Sequence, residues 1–334
     1  MKKHNNILWV GLALIGSFLL ASCGQKGAKN AAAEVQTLHV GIQNSPSNAL
    51  LLIADAKRLF DTAQVRVQIK EFSAGKLALQ ALLATTDLDA AVSAETPVVL
   101  SSLAGNRVKI LSQVVDAKNE CRVVVRRDGD LNTVEQYFSK HRVLATSQGG
   151  SPEWLTYNFL KKYNLGPKQV EIAAMAPENM PAAVASKAID GCSIFDPYAR
   201  LAEQELGKDG LTFLNEDMKS YYVISIREQQ DQNRQAALTA FLQGLLRAEQ
   251  FIRDNPGEAQ QIVAQRTKID AQIVQSTWSN YNFSLGFSPD FPALCQAQAA
   301  WAIETGKYPK ETPVPNFEGF LERNLLETAQ KASH

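Results

Sequence analysis

Histidine and cysteine are scarce in this chain, four of each in 334 residues. There is no CxxC pair and no His-rich run, so the spacing of a metal site is missing and no metal or cofactor is expected. Beyond the N-terminal segment the histidines are His39, His141 and the terminal His334, none in a catalytic setting, which argues against a Ser-His-Asp enzyme. Charge of one sign is missing too. Lysine plus arginine number 34, as do aspartate plus glutamate, leaving no overall field to draw nucleic acid or an anionic membrane. No basic run with interleaved aromatics appears, so nucleic acid is excluded as a partner. Nor is there a run long enough to span a membrane: residues 7–20 are apolar, 14 residues where a spanning helix needs about 20.

What is present is 45% hydrophobic residues, enough to bury the cores of about two domains. The N-terminus has the layout of a secretory signal over residues 1–22, with basic Met1-Lys-Lys-His4, the apolar run 7–20, and small residues at a cleavage point. Leu20-Ala-Ser-Cys23 resembles a bacterial lipobox, which implies that Cys23 is lipidated and anchors the chain to a membrane outside the cytoplasm, in the periplasm or at the cell surface. An ordinary secreted protein with a chance cysteine is the alternative. Residues 23–36, including GQKGAKNAAAE, lack apolar periodicity and read as a flexible tether. Cys121, Cys192 and Cys295 remain, an odd number, and read best as small buried hydrophobes, with a Cys121–Cys192 bridge as the alternative.

The chain echoes itself. Residues 81–97 (ALLATTDLDAAVSAETP) and 182–198 (AAVASKAIDGCSIFDPY) align without gaps at an offset of 101, placing Asp89 on Asp190 and Glu95 on Asp196. Val67-Gln-Ile69 matches Val170-Glu-Ile172, and Ser45-Pro46 matches Ser151-Pro152. So long a period suggests duplicated lobes facing one another across a cleft rather than a solenoid. Taken alone, the offset also fits two unrelated βα units in alanine-rich sequence. Hydrophobic patterning predicts strands at 38–42, 65–72, 88–92 and 108–115 alternating with helices at 49–60, 76–84 and 97–103. A second unit has strands at 142–145, 170–174, 189–195 and 211–214 with helices at 153–163, 178–186 and 197–206. The fold class expected is α/β, two lobes, each a mostly parallel sheet flanked by helices. RVVVR (122–126) and YYVISI (221–226) are strand-like and suited to carry the chain across a hinge between the lobes. Helices at 235–253, 256–265, 271–279, 291–304 and 317–329 should then pack on the first lobe. The expected division is 37–122 with 220–334 for lobe 1 and 123–219 for lobe 2.

GIQNSPSNALLLIADAKRLF, EFSAGKLALQAL, DLDAAVSAETPVVLSSLAG, ATSQGGSPEWLTYNFL and PENMPAAVASKAIDGCSIFDPYARLAE resemble, in order and spacing, the substrate-binding lipoproteins of ABC importers. The branch is the one that binds sulfonates, nitrate, taurine or thiamine-pyrimidine precursors. The resemblance runs over 38–203, with a weaker helical match beyond. It implies a periplasmic-binding-protein fold with two hinge strands that closes on a small molecule and delivers it to an ABC permease in the inner membrane. The chain departs from the pattern at Phe195-Asp-Pro197, where many relatives have Trp-Glu-Pro, and at Ser139-Lys140, where Gly-Lys is usual. Both departures touch the ligand rather than the fold. Two other classes stay open: an enzyme, since fold relatives include pyrimidine-synthesising enzymes whose Cys-rich iron-binding run is absent here, and a sensor or non-transport surface lipoprotein.

Ligands of open α/β sheets sit beyond the carboxyl ends of the strands. That nominates Ser45, Asn48, Ser73, Gly75, Lys76, Ser93, Glu95, Thr96, Gly149, Ser151, Phe195 and Asp196 around one crevice. Helix N-termini and hydroxyls there suit an anion, although serines at those places also serve as caps. Lys76 would complement a sulfonate or remain solvated, and Phe195 would enclose an apolar tail or pack in the core. Glu95 and Asp196 are read first as partners of the helix dipoles. The sharper reading has them hold an amine or amidine in the cleft, as on a pyrimidine precursor.

Overall fold

The computed structural model describes residues 35–61, 65–215, 218–229 and 232–332. The expected signal, Cys23 and all but the last two residues of the tether lie outside them. Apolar β-branched stretches alternate with alanine- and leucine-rich ones, and they fold as alternating strands and helices. The first run gives β1 (Gln36–Gln43), α1 (Ala49–Ala56), β2 (Val65–Phe72), α2 (Gly75–Ala84), β3 (Ala90–Ala94), α3 (Glu95–Leu103) and β4 (Val108–Lys118). The second gives β5 (Cys121–Arg126), α4 (Val134–Tyr137), β6 (Arg142–Thr146), α5 (Ser151–Lys162), β7 (Val170–Ala174), α6 (Met180–Ala185), β8 (Gly191–Phe195), α7 (Tyr198–Leu206) and β9 (Gly210–Phe213). Then come β10 (Lys219–Arg227), α8 (Gln232–Asp254), α9 (Pro256–Thr267), α10 (Ala271–Thr277), β11 (Tyr281–Gly286), α11 (Phe291–Glu304) and α12 (Arg323–Lys331).

Among the described residues the strands form two sheets, ordered β11-β4-β10-β3-β1-β2 and β7-β6-β8-β5-β9. In the first lobe β1 to β4 share one direction, and β10 and β11 oppose it. In the second, β6 to β9 share one direction and β5 alone opposes it. The expected two-lobed α/β architecture is therefore present, with a difference at the crossings. RVVVR and YYVISI are more than connectors: β5 and β10 are inserted antiparallel in the interior of the sheets. Their unbroken apolar runs suit strands buried on both faces. Each lobe is thus completed by the strand that arrives from the other. Because Arg122 pairs with Ile194, Cys121 and Arg122 belong to the second sheet, ahead of the boundary expected at 123. Two further differences lie near the C-terminus. YNFSLG forms the edge strand β11, which patterning missed between two helices. The helix expected from 317 starts only at Arg323, after a 3-10 turn at Phe317–Phe320.

One apolar core fills the outer face of the first sheet beneath α1, α8 and α9. A second runs without a break from α2, α3 and α11 of the first lobe to α5, α6 and α7 of the second. The lobes are therefore in contact. Trp301 on α11 meets Trp154 on α5 edge-to-face, centroids 5.4 Å apart, and Lys307 forms an ion pair with Glu153. Cys121, Cys192 and Cys295 are free and buried.

Candidate ligand-binding cleft

The cleft lies where the carboxyl ends of β1, β3, β6 and β8 give way to loops and helix starts. Two helices open onto it. Gly75, the first residue of α2, must be glycine for steric reasons: a Cβ there would stand 2.9 Å from the Ser93 Cα. This close approach brings the first turn of α2 down onto β3. On the other side, Gly149 takes a left-handed conformation (φ 74°) that turns the chain into α5, whose Ser151-Pro152 start also faces the gap.

Between these helix starts is a cavity of about 30 Å³, room for a water or two. Of the nominated residues, Gly75, Lys76, Ser151 and Phe195 line it. Lys76 and Pro97 also border a groove of about 530 Å³ outside it, walled by Leu79, Leu83, Leu100 and Tyr308 and reached by Gly149. Lys76 spans the gap itself. Its Nζ donates to the Ser147 hydroxyl at 3.1 Å and to the Gln148 carbonyl at 2.6 Å in the opposite lobe. Burial lowers its pKa, against the pull of Glu153 and Glu178.

The remaining nominated residues lie outside the cavity lining, and most have partners of their own. Ser45 is hydrogen-bonded to Ser47, Asn48 donates to the Gln43 carbonyl, and Ser93 donates to the Ala94 carbonyl. Thr96 is buried beside Glu95, and Ser73 is exposed outside the cavity lining. The acidic pair does not line the cavity either. Glu95 is fully buried and accepts the Tyr221 amide at 2.8 Å and the Gln298 side chain at 2.7 Å; burial raises its pKa to about 6. Asp196 takes both prongs of the Arg122 guanidinium, and burial raises its pKa despite that partner. Each acid holds the strand that enters its lobe from the other, Glu95 on β10 and Asp196 on β5. That is why neither is free for an amine.

The sequence reading missed Gln43, Glu120, Ser147, Ser220 and Tyr222, which also line the cavity. Gln43 accepts the Gly75 amide through Oε1 at 3.2 Å, which fixes its amide orientation and leaves Nε2 as the other end. Among the described residues neither that Nε2 nor the Ser151 hydroxyl has a hydrogen-bond partner, although both are buried. Buried polar atoms are nearly always paired. Two orphaned groups able to donate, on opposite walls and beside an ammonium, make the cavity a place for an acceptor-rich group. Among the described residues no cluster of side chains could hold a metal ion, and no helix is long and apolar enough to cross a membrane.

Residues 31–267 match the NMT1-like family. The chain belongs to that family. A protein of Bacillus subtilis (strain 168), provisionally named an aliphatic sulfonates-binding protein, is 25% identical to this NMT1-like chain over 271 residues, 79% of each. Among solved structures, the alkanesulfonate-binding protein SsuA of Xanthomonas axonopodis pv. citri superposes with a TM-score of 0.73 at 20% identity, covering 87% of this chain and 99% of that one. The nitrate-binding protein NrtA of Synechocystis PCC 6803 gives 0.68 at 19% identity, covering 90% of both chains. The fold is that of the periplasmic binding proteins.

Proposed function

We propose that this protein is an extracytoplasmic solute-binding lipoprotein that captures a small sulfonate-type anion between its lobes and delivers it to an ABC permease. The observation that carries the reading is the convergence, in one interlobe cavity, of Lys76 with the orphaned Gln43 Nε2 and Ser151 hydroxyl. The three oxygens of a sulfonate accept from all three at once, and the starts of α2 and α5 add the positive ends of their dipoles. Nitrate and taurine-like anions present the same acceptors. The names of the Bacillus and Xanthomonas relatives favour a sulfonate. The apolar groove beyond Lys76 suits an aliphatic tail. Lobe closure around the ligand would form the surface that a permease reads, a population shift driven by tighter binding to the closed form.

In this reading residues 1–22 are the signal, Cys23 carries the lipid, 23–36 are the tether, and lobe 1 (37–122 with 220–334, less Cys121 and Arg122, which β5 gives to the second sheet) closes on lobe 2 (123–219 with those two). A thermal-shift titration with ethanesulfonate, nitrate and taurine tests the ligand class, since a ligand of the folded state raises its stability by RT ln(1 + [L]/Kd). No shift with any of the three would remove the sulfonate reading. Replacing Cys23 with alanine should move the protein from the membrane fraction to the soluble one. Retention on the membrane would exclude the lipid anchor.

A further inference from the structure

Glu120 stands in the two-residue crossing between β4 and β5, buried at 3% exposure, and lines the same cavity as Lys76, Gln43 and Ser151. Its surroundings differ from those of the other buried acids. Asp196 has a guanidinium, and Glu95 has an amide N–H and the Gln298 side chain. Among the described residues Glu120 has one donor, a neutral one: the Tyr222 hydroxyl on β10, 2.9 Å from each oxygen. Tyr222 also interacts with Ser47, which is hydrogen-bonded to Ser45.

The charged and titratable groups around Glu120 come from several elements. Asp196 follows β8 and Glu95 opens α3, and both repel a charge on it. Arg122 and Cys121 follow on β5, and the Tyr281 hydroxyl, without a partner among the described residues, comes from β11. Arg122 favours its ionisation but is committed to Asp196, Glu203 and the Asn119 and Glu120 carbonyls. Lys76, the cation that lines the cavity, donates to Ser147 and Gln148 and keeps its third N–H for the anion rather than for Glu120. Burial, helped by Asp196 and Glu95, raises the Glu120 pKa to about 8. A buried carboxylate without a cation is costly and protonates instead. The cavity thus joins a lining of orphaned donors, suited to an anion, to one carboxyl whose charge lacks a partner.

We infer that Glu120 reads a cationic nitrogen on the ligand, so that the cleft takes a zwitterion of the amino-sulfonate class in preference to a simple sulfonate. This rests on the sulfonate reading above and adds the second half of the ligand. An ammonium entering the cavity stabilises ionised Glu120, which releases its proton to solvent. Affinity for the zwitterion therefore rises with pH between 6 and 8, whereas affinity for a plain sulfonate falls as a lone negative charge develops.

The test is calorimetric titration of the mature protein with taurine and with ethanesulfonate, which has the same head group and no amine. The wild type should bind taurine at least tenfold more tightly at pH 7 and show the two opposite pH trends. E120Q should lose the taurine preference and bind ethanesulfonate about twofold more tightly at pH 8, where the acid it replaces is about half charged. Equal binding of the two ligands by the wild type, or a taurine preference that survives E120Q, would overturn the inference and leave the sulfonate reading standing. Binding of neither ligand would overturn both. The wild-type ratio and its pH trend decide the matter even if E120Q does not fold.

Discussion

Arg122 grips both carboxylate oxygens of Asp196, at 2.7 and 3.0 Å, with both side chains buried. The pair ties the start of β5 to the end of β8, where the chain has just crossed from one lobe to the other. Removing one partner of a buried pair typically costs about 3–5 kcal/mol, and the low end applies here because Arg122 keeps Glu203 at 2.8 Å. Asp196→Ala should lower the urea unfolding midpoint of the ligand-free protein by a corresponding amount. An unchanged midpoint would mean that the pair is dispensable and that Asp196 is free to serve a ligand.

Ser151 is expected to behave in the opposite way. Among the described residues its hydroxyl is buried without a partner, so Ser151→Ala breaks no hydrogen bond and should leave ligand-free stability undiminished. A hydrogen bond to a charged group is worth about 1.5–3 kcal/mol, so sulfonate affinity should fall about 10- to 150-fold. Calorimetry on the variant, with its unfolding curve alongside, separates the two effects. An undiminished affinity would remove Ser151 from the ligand's contacts.

The contrast between these two residues shows what the sequence made legible. The internal echo was informative at Asp89 and Asp190. Each accepts a backbone N–H from the first parallel strand of its lobe at 2.8 Å, from His39 and from Val143. That role is local to a βα unit and repeats with it. The next acids in the echo, Glu95 and Asp196, have partners 126 and 74 residues away on the crossing strands. No spacing rule shows that a carboxylate will meet a strand returning from the other lobe, so the sequence offered a helix dipole first, and a ligand amine second, as their partner. Glu120 was invisible for a related reason. It lies in KNEC, a polar turn between two strands, and becomes a cavity residue only because both crossings meet there. The helix starts at Gly75 and Ser151 were legible because Gly, Ser and Pro at a strand-to-helix junction have few other uses.

Stability should depend on pH through the buried acids, with a sign opposite to that of salt-bridged carboxylates. Burial raises Glu120 to about 8 and Glu95 to about 6, so the folded protein holds protons that the unfolded chain gives up near the ordinary carboxylate range. The stabilisation is complete below about pH 4.5 and is lost as pH rises through 6 and then 8. Unfolding midpoints measured from pH 5 to 8.5 should fall, and Glu120→Gln should flatten the upper part of that slope. A wild-type slope that is flat or rising between pH 6 and 8 would show that Glu120 is already ionised there.

The lobes are held together by their own side chains, and the Trp301 contact offers a way to loosen them without touching the cavity. Its ring packs on Trp154 at 5.4 Å and on Tyr157 at 6.0 Å, both from the opposite lobe. Such aromatic pairs contribute about 0.5–1.5 kcal/mol each beyond the area they bury. Trp301→Leu keeps an apolar side chain within its own lobe while deleting both pairs, which should move the ligand-free population toward open forms. Because apparent affinity scales with the fraction of binding-competent molecules, a loss of 1–2 kcal/mol in closure weakens binding by at most about 5- to 30-fold, and by less where the closed form predominates in the wild type. Solution scattering should show a larger radius of gyration for the ligand-free variant, returning to the wild-type value at saturating ligand. An unchanged radius together with unchanged affinity would mean that the aromatic contact does not govern closure.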